Sequence, residues 1–125
     1  MILDTVALSD LIDGNRALAR VLGNSPRHDL PVIVLGEYRF GLLQSTKRER
    51  LEAALDLLEQ ESDILPIDAH TAREYATIRL QLERKGSPIP INDIWIAALA
   101  RQHDLPIVSR DAHFSVVPGI KRIVW

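Results

Sequence analysis

Apolar and polar positions along this chain fall into short blocks whose period switches between that of a strand and that of a helix. Ile2-Leu3 is an apolar pair, too brief to assign alone, followed at once by Asp4-Thr5. From Leu8 to about Val21, and on to Leu22, apolar residues such as Leu11, Ile12 and Leu18 recur at helical spacing, and Gly14-Asn15 divides the stretch into two helices. After a loop at Ser25-Pro26-Arg27-His28, the β-branched run Pro31-Val32-Ile33-Val34 predicts a brief extended segment. Residues 35–43 read as helix. Residues 48–60 do so strongly, with Leu51, Ala54, Leu55 and Leu58 in one stripe and Glu49, Glu52, Asp56 and Glu59 facing water. Ile64-Leu65-Pro66-Ile67 is strand-like, and Asp68-Ala69-His70-Thr71 is the polar opening of a helix that runs to about Lys85 and stops at Gly86. Beyond a loop at residues 87–90, Asn92 stands where an N-cap is expected for a helix over 93–103. Residues 106–109 and 121–124 are the last strands.

Short apolar strands joined by helical crossovers predict an α/β sandwich with a mainly parallel sheet. No repeat, low-complexity tract or linker interrupts the pattern, so residues 1–125 are read as a single domain. Composition then removes several kinds of chemistry. The chain has no cysteine, which excludes disulfide scaffolds, iron–sulfur clusters and thiolate zinc sites. Its 15 Lys and Arg against 17 Asp and Glu leave a net charge of −2, so any affinity for nucleic acid must come from a local basic strip and not from bulk charge. The acidic opening MILDTVALSDLID lacks the basic region of a signal peptide, and no apolar stretch is long enough to span a bilayer. The expectation is a cytoplasmic protein without a membrane role.

Four acids stand apart from the many that mark solvated faces. Asp4 follows the first apolar run, and Asp111 follows Ile107-Val108-Ser109-Arg110. Glu37 and Asp93 lie near the starts of predicted helices. In an open parallel sheet the carboxyl ends of the strands and the helix N-termini share one edge, and ligand chemistry gathers there. Two unit charges about 4 Å apart repel by about 4 kcal/mol at an effective dielectric of about 20. Four converging carboxylates therefore call for a hard cation, Mg²⁺ or Mn²⁺, and with it phosphodiester chemistry.

At these residues the chain resembles PIN-domain proteins, and specifically VapC-type toxins of toxin–antitoxin pairs. The resemblance is carried by Leu3-Asp4-Thr5, by Val34-Leu35-Gly36-Glu37-Tyr38-Arg39-Phe40-Gly41, by Ile91-Asn92-Asp93-Ile94-Trp95-Ile96-Ala97-Ala98 and by Ile107-Val108-Ser109-Arg110-Asp111-Ala112-His113-Phe114. It implies a three-layer α/β/α sandwich and a Mg²⁺-dependent (or Mn²⁺-dependent) endoribonuclease that hydrolyses RNA to 5′-phosphate and 3′-hydroxyl ends. It also implies a VapB-like antitoxin and a second copy of the chain as partners. By position, Asp4, Glu37, Asp93 and Asp111 match the family's acidic quartet, and Ser109 matches a hydroxyl that orients Asp111 or a water. Thr5 is a supporting residue. Val6 replaces the Asn that often follows Asp-Thr in the family, and Thr5 or water is expected to take over its hydrogen bonds.

Arg110 and Arg39, each close in sequence to a quartet member, are the expected substrate contacts, with Arg110 preferred. Lys47, Arg48 and Arg50 are read as a solvated helix start. The four histidines lack metal-ligand spacing and are assigned surface or capping roles. Alanine at Asp4, Asp93 or Asp111 is expected to abolish cleavage and leave the fold intact or slightly more stable. Two rival readings are a phosphoacceptor receiver domain with Asp68 as acceptor, Ser109 as switch hydroxyl and Lys121 as phosphate partner, and a non-catalytic binding module on the same scaffold.

Overall fold

Ile2, Leu3, Ile107 and Val108 are all fully buried, the pattern of central strands in a parallel sheet covered on both faces. A computed structural model describes residues 1–25 and 27–125; of the expected loop at Ser25–His28, Pro26 lies outside the described residues. The elements in order are β1 (Ile2–Leu3), α1 (Thr5–Ile12), α2 (Arg16–Leu22), β2 (Asp29–Pro31), α3 (Val32–Leu43), α4 (Arg48–Gln60), β3 (Asp63–Leu65), α5 (Ala69–Lys85), α6 (Ile91–His103), β4 (Ile107–Val108), a 3₁₀ helix (Ala112–Val116) and β5 (Arg122–Ile123).

The strands form one sheet in the order β3-β2-β1-β4-β5, with every pairing parallel. Ile2 is paired with Asp29 on one side and with Ile107 on the other. The chain thus moves outward from β1 through β2 to β3, then returns to the opposite side for β4 and β5. That reversal puts a crevice beyond the carboxyl ends of β1 and β4, where ligand sites of open α/β sheets form. α1 packs against α3 and α4, while α5 packs along α6, giving the expected α/β/α arrangement. The α5–α6 seam holds the stacked rings of Tyr75 and Trp95, 4.0 Å apart, so Trp95 is a packing residue.

Local signals explain most boundaries. Asn15 caps α2 by accepting from the Leu18 N–H, and Asp68 caps α5 in a reciprocal capping box with Thr71. Gly86 ends α5 in the left-handed conformation at φ +67°. Among the described residues, no helix is long and apolar enough to cross a membrane.

Two elements differ from expectation. Val32-Ile33-Val34 is the first turn of α3, not a strand. β2 ends at Pro31, opposite the last residue of β3, and beyond that point a strand would have no ladder to join. Burial of Val34, Leu35 and Leu42 favours the helix, and β-branched residues accept it at little more than a rotamer restriction. Asn92 is not an N-cap either. Helix α6 opens at Ile91 with Pro90 at the cap position, whose carbonyl accepts from Asp93 and Ile94, leaving the Asn92 side chain free for Glu37.

Candidate active site

Asp4 and Ser109 are two of the few buried polar residues, and each is the other's partner. Asp4 leaves β1 as the N-cap of α1, its Oδ1 accepting from the Ala7 N–H at 2.8 Å. The Ser109 hydroxyl, at the end of β4, donates to Asp4 Oδ2 and accepts from the Asp111 backbone N–H at 2.9 Å. The fully buried hydroxyl therefore couples the carboxyl ends of the two central strands, orienting Asp4 directly and Asp111 through its backbone.

Glu37 arrives from the second turn of α3. Its Oε2 accepts from Thr5 Oγ1 at 3.0 Å and its Oε1 from Asn92 Nδ2 at 2.8 Å, so both oxygens are fixed by residues adjacent to other quartet members. Asp93, in the first turn of α6, and Asp111, the N-cap of the 3₁₀ helix, meet at His113. The imidazole Nδ1 stands 3.0 Å from Asp93 Oδ2 and 3.0 Å from Asp111 Oδ1. Exposure rises from 6% at Asp4 to 19% for the Asp93 side chain and 42% for that of Asp111. Asp4 is thus buried and Asp111 open to solvent; Asp93, Asp111 and His113 are grouped closely enough to share an ion, and the charges of Asp111 and Glu37 reach both Asp4 and Asp93.

The electrostatics show the same convergence. Burial raises the Asp4 carboxyl above its ordinary 3.8; the bonds from Ser109 and Ala7 lower it, and the charges of Asp111 and Glu37 raise it again. Burial also raises Asp93, the His113 bond lowers it, and Asp111 and Glu37 raise it. Each of these two acids is thus destabilised in its ionised form by the other two strand- and helix-end acids. A raised carboxyl gives full stability below its unfolded value and loses it as pH rises through the folded one. In EDTA the wild type should lose thermal stability from about pH 4 upward more steeply than Asp93→Asn. A divalent cation should flatten the difference. Parallel pH slopes for the two proteins in differential scanning fluorimetry would contradict this electrostatic picture.

The donor set fits a hard divalent cation: carboxylate oxygens from four elements, no Lys or Arg bonded to them within the cleft among the described residues, and mutual repulsion that a cation would relieve. Val6 is exposed and donates nothing to the acids through its side chain, while Glu37 takes its donors from Thr5 and Asn92. Val6→Asn is therefore expected to leave affinity for a divalent cation within about twofold of wild type, and a larger gain would show that a ligand-orienting bond is absent.

Other residues are placed differently from expectation. Arg39 is engaged by Asp56 at 3.1 Å and Glu59 at 2.7 Å on α4, where it braces α3 against α4. Its expected role as a substrate contact gives way to this one, because residues two apart on a helix point about 200° apart. Arg110 lies over the Trp125 ring, 4.5 Å from its centroid, with Nη1 3.6 Å from Asp10. Of the basic trio, Arg48 pairs with Glu52 as a solvated helix start would. Lys47 and Arg50 instead line a groove of about 520 Å³ that meets the cleft at Thr5 and Glu37. Asp68 accepts from His70, Thr71 and Gln102 through Oδ1 in its capping role, so the acid that the phosphoacceptor reading needs is also the cap of α5. Asp4 and Asp111 are caps as well as acids, so their replacement by alanine removes structure along with charge. The sequence spacing of His113 points to a surface or capping role, and no signal in the linear sequence places it between two acids.

The model of the PIN domain matches residues 1–120 of the chain. Ribonuclease VapC5 of Mycobacterium tuberculosis is 36% identical over 90 residues, covering 70% of this chain and 67% of that protein. The tRNA(fMet)-specific endonuclease VapC of Salmonella typhimurium is 30% identical over 103 residues, covering 82% and 78%. The crystal structure of DNA-bound VapBC from Salmonella typhimurium contains a chain that superposes with a TM-score of 0.90 at 27% identity, covering 99% of this chain and 96% of that one.

Proposed function

The chain belongs to the PIN-domain family and is a ribonuclease of VapC type, and from that premise we propose that Asp4, Glu37, Asp93 and Asp111 are its catalytic residues, acting with Mg²⁺ or Mn²⁺ on RNA. The observation that supports this reading is that each of the four carboxylates is held by a neighbour of the others (Asp4 by Ser109, Glu37 by Thr5 and Asn92, Asp93 and Asp111 by His113), with Asp93 and Asp111 grouped closely enough to share an ion. Asp4, Asp93 and Asp111, with Glu37, would hold the cation, which when bound supplies charge neutralisation and Lewis acidity toward a phosphoryl oxygen. No side chain is needed as nucleophile. The Ser109 hydroxyl is fully buried and committed to Asp4, and the Thr5 hydroxyl is committed to Glu37. Water is the reacting group, and Glu37, held by two donors, is positioned to orient it.

RNA needs attractive charge beside a cleft of acids. Lys47 and Arg50, which have no carboxylate partner among the described residues, offer it within a groove whose other charged lining residues are Asp10, Asp13 and Glu37. Arg110 provides it at the mouth, held flat against Trp125. If Arg110 neutralises one phosphate, Arg110→Ala should reduce the slope of log affinity against log salt by about one. Fluorescence anisotropy with a non-cleaved RNA in EDTA measures this, and an unchanged slope would remove Arg110 from the interface.

The solved neighbours are toxin–antitoxin complexes, which supports a VapB-like antitoxin as partner. A second copy of the chain and a cytoplasmic setting complete the reading. Phe40 and Leu43, 64% and 59% exposed on α3, are suited to a face that a partner covers. The discriminating experiment is co-expression with a VapB-like antitoxin: RNA cleavage in extracts should fall to background when the partner is present, and undiminished cleavage would count against the pairing.

A further inference from the structure

The imidazole of His113 stands between two of the four carboxylates, and its place there follows from short-range structure. The His113 backbone N–H donates to Asp111 Oδ1 at 2.9 Å, which turns the 3₁₀ helix so that the ring lies over Asp111 and reaches across to Asp93 on α6. Nδ1 then stands 3.0 Å from an oxygen of each acid, and one oxygen from each acid and a ring nitrogen lie within 4.8 Å of one another. One N–H cannot serve two carboxylates fully. Donors at right angles around an ion with bonds of about 2.1 Å are about 3.0 Å apart, which is the separation of Nδ1 from each of the two oxygens.

We propose that His113 is itself a ligand of the cation held by this cleft, contributing Nδ1 beside Asp93 and Asp111, and that it biases the site toward Mn²⁺ over Mg²⁺. The inference rests on the reading of the acids as a cation site. Ligation through Nδ1 requires the ring proton to sit on Nε2, for which no partner is recorded among the described residues. Imidazole nitrogen favours transition ions, whereas Mg²⁺ prefers an all-oxygen shell. The side chain is 45% exposed, so its replacement leaves the core untouched.

Pulsed electron paramagnetic resonance of the Mn²⁺-loaded wild-type chain tests this without reference to catalysis. The expected result is a ¹⁴N modulation from a directly bound imidazole, lost in His113→Gln. In the same variant, Mn²⁺ affinity should fall about tenfold, while Mg²⁺ affinity, measured by competition, changes by less than about threefold. Mn²⁺ bound without ¹⁴N modulation, or with modulation that persists in His113→Gln, would overturn the role of His113 and leave the carboxylate site standing. If wild type binds no Mn²⁺, or if Asp93→Asn binds it as well as wild type does, the carboxylate reading fails and His113 falls with it.

Discussion

Asp93→Ala is expected to lower RNA cleavage by roughly a thousandfold and, in metal-free buffer near neutral pH, to raise the thermal midpoint. Both effects follow from one placement. Asp93 contributes an oxygen to the cleft and is held above its ordinary carboxyl range by burial, with Asp111 and Glu37 adding to the shift. It caps nothing, since Pro90 occupies the cap position of α6, so losing it removes repulsion without breaking a structural bond other than that to His113. Asp4→Ala should behave differently. Cleavage should again be lost, but α1 loses its N-cap, at a cost of about 1 kcal/mol, and the buried Ser109 hydroxyl loses its acceptor. Asp4→Asn, which keeps the cap, should be the more stable of the two inactive proteins. Urea denaturation of the three variants separates charge from structure. An Asp93→Ala protein with wild-type cleavage would remove that residue from the site.

Ser109→Ala is the second large effect. The hydroxyl is fully buried and joins Asp4 to the Asp111 backbone, so its deletion leaves a buried carboxylate oxygen and a backbone N–H short of partners. A stability loss of about 1–3 kcal/mol is expected. Because orienting partners of metal ligands typically matter by about 10–100-fold, cleavage should fall by a factor in that range. Half-saturating Mn²⁺ should rise in parallel. Wild-type stability together with wild-type cleavage would show that Ser109 is packing alone.

The order of elements was readable because apolar spacing and end signals agreed. Asp68 with Thr71 opens α5, Gly86 closes it, and Asn15 restarts the chain after α1. The edge on which the acids meet follows from parallel strands, because every helix that follows a strand begins there. What the linear pattern misplaced were choices between neighbours in space. Val32-Ile33-Val34 has strand propensity, yet β2 is only as long as the ladder offered by β3. Asn92 has capping chemistry, yet Glu37, 55 positions away, claims its side chain. Arg39 is two residues from Glu37 in sequence and turned away from it by the helix, toward Asp56 and Glu59. His113 shares no metal-binding spacing with Asp93 because the pair forms only when α6 and the 3₁₀ helix pack together.

The most direct measurement is cleavage of a labelled RNA panel by EDTA-treated protein, alone and after addition of Mg²⁺ or Mn²⁺. If one cation-filled cleft carries the reaction, the treated protein is inert, either ion restores cutting of at least one RNA, and neither restores it to Asp93→Ala. Undiminished cutting in EDTA, or restored cutting by Asp93→Ala, would contradict it.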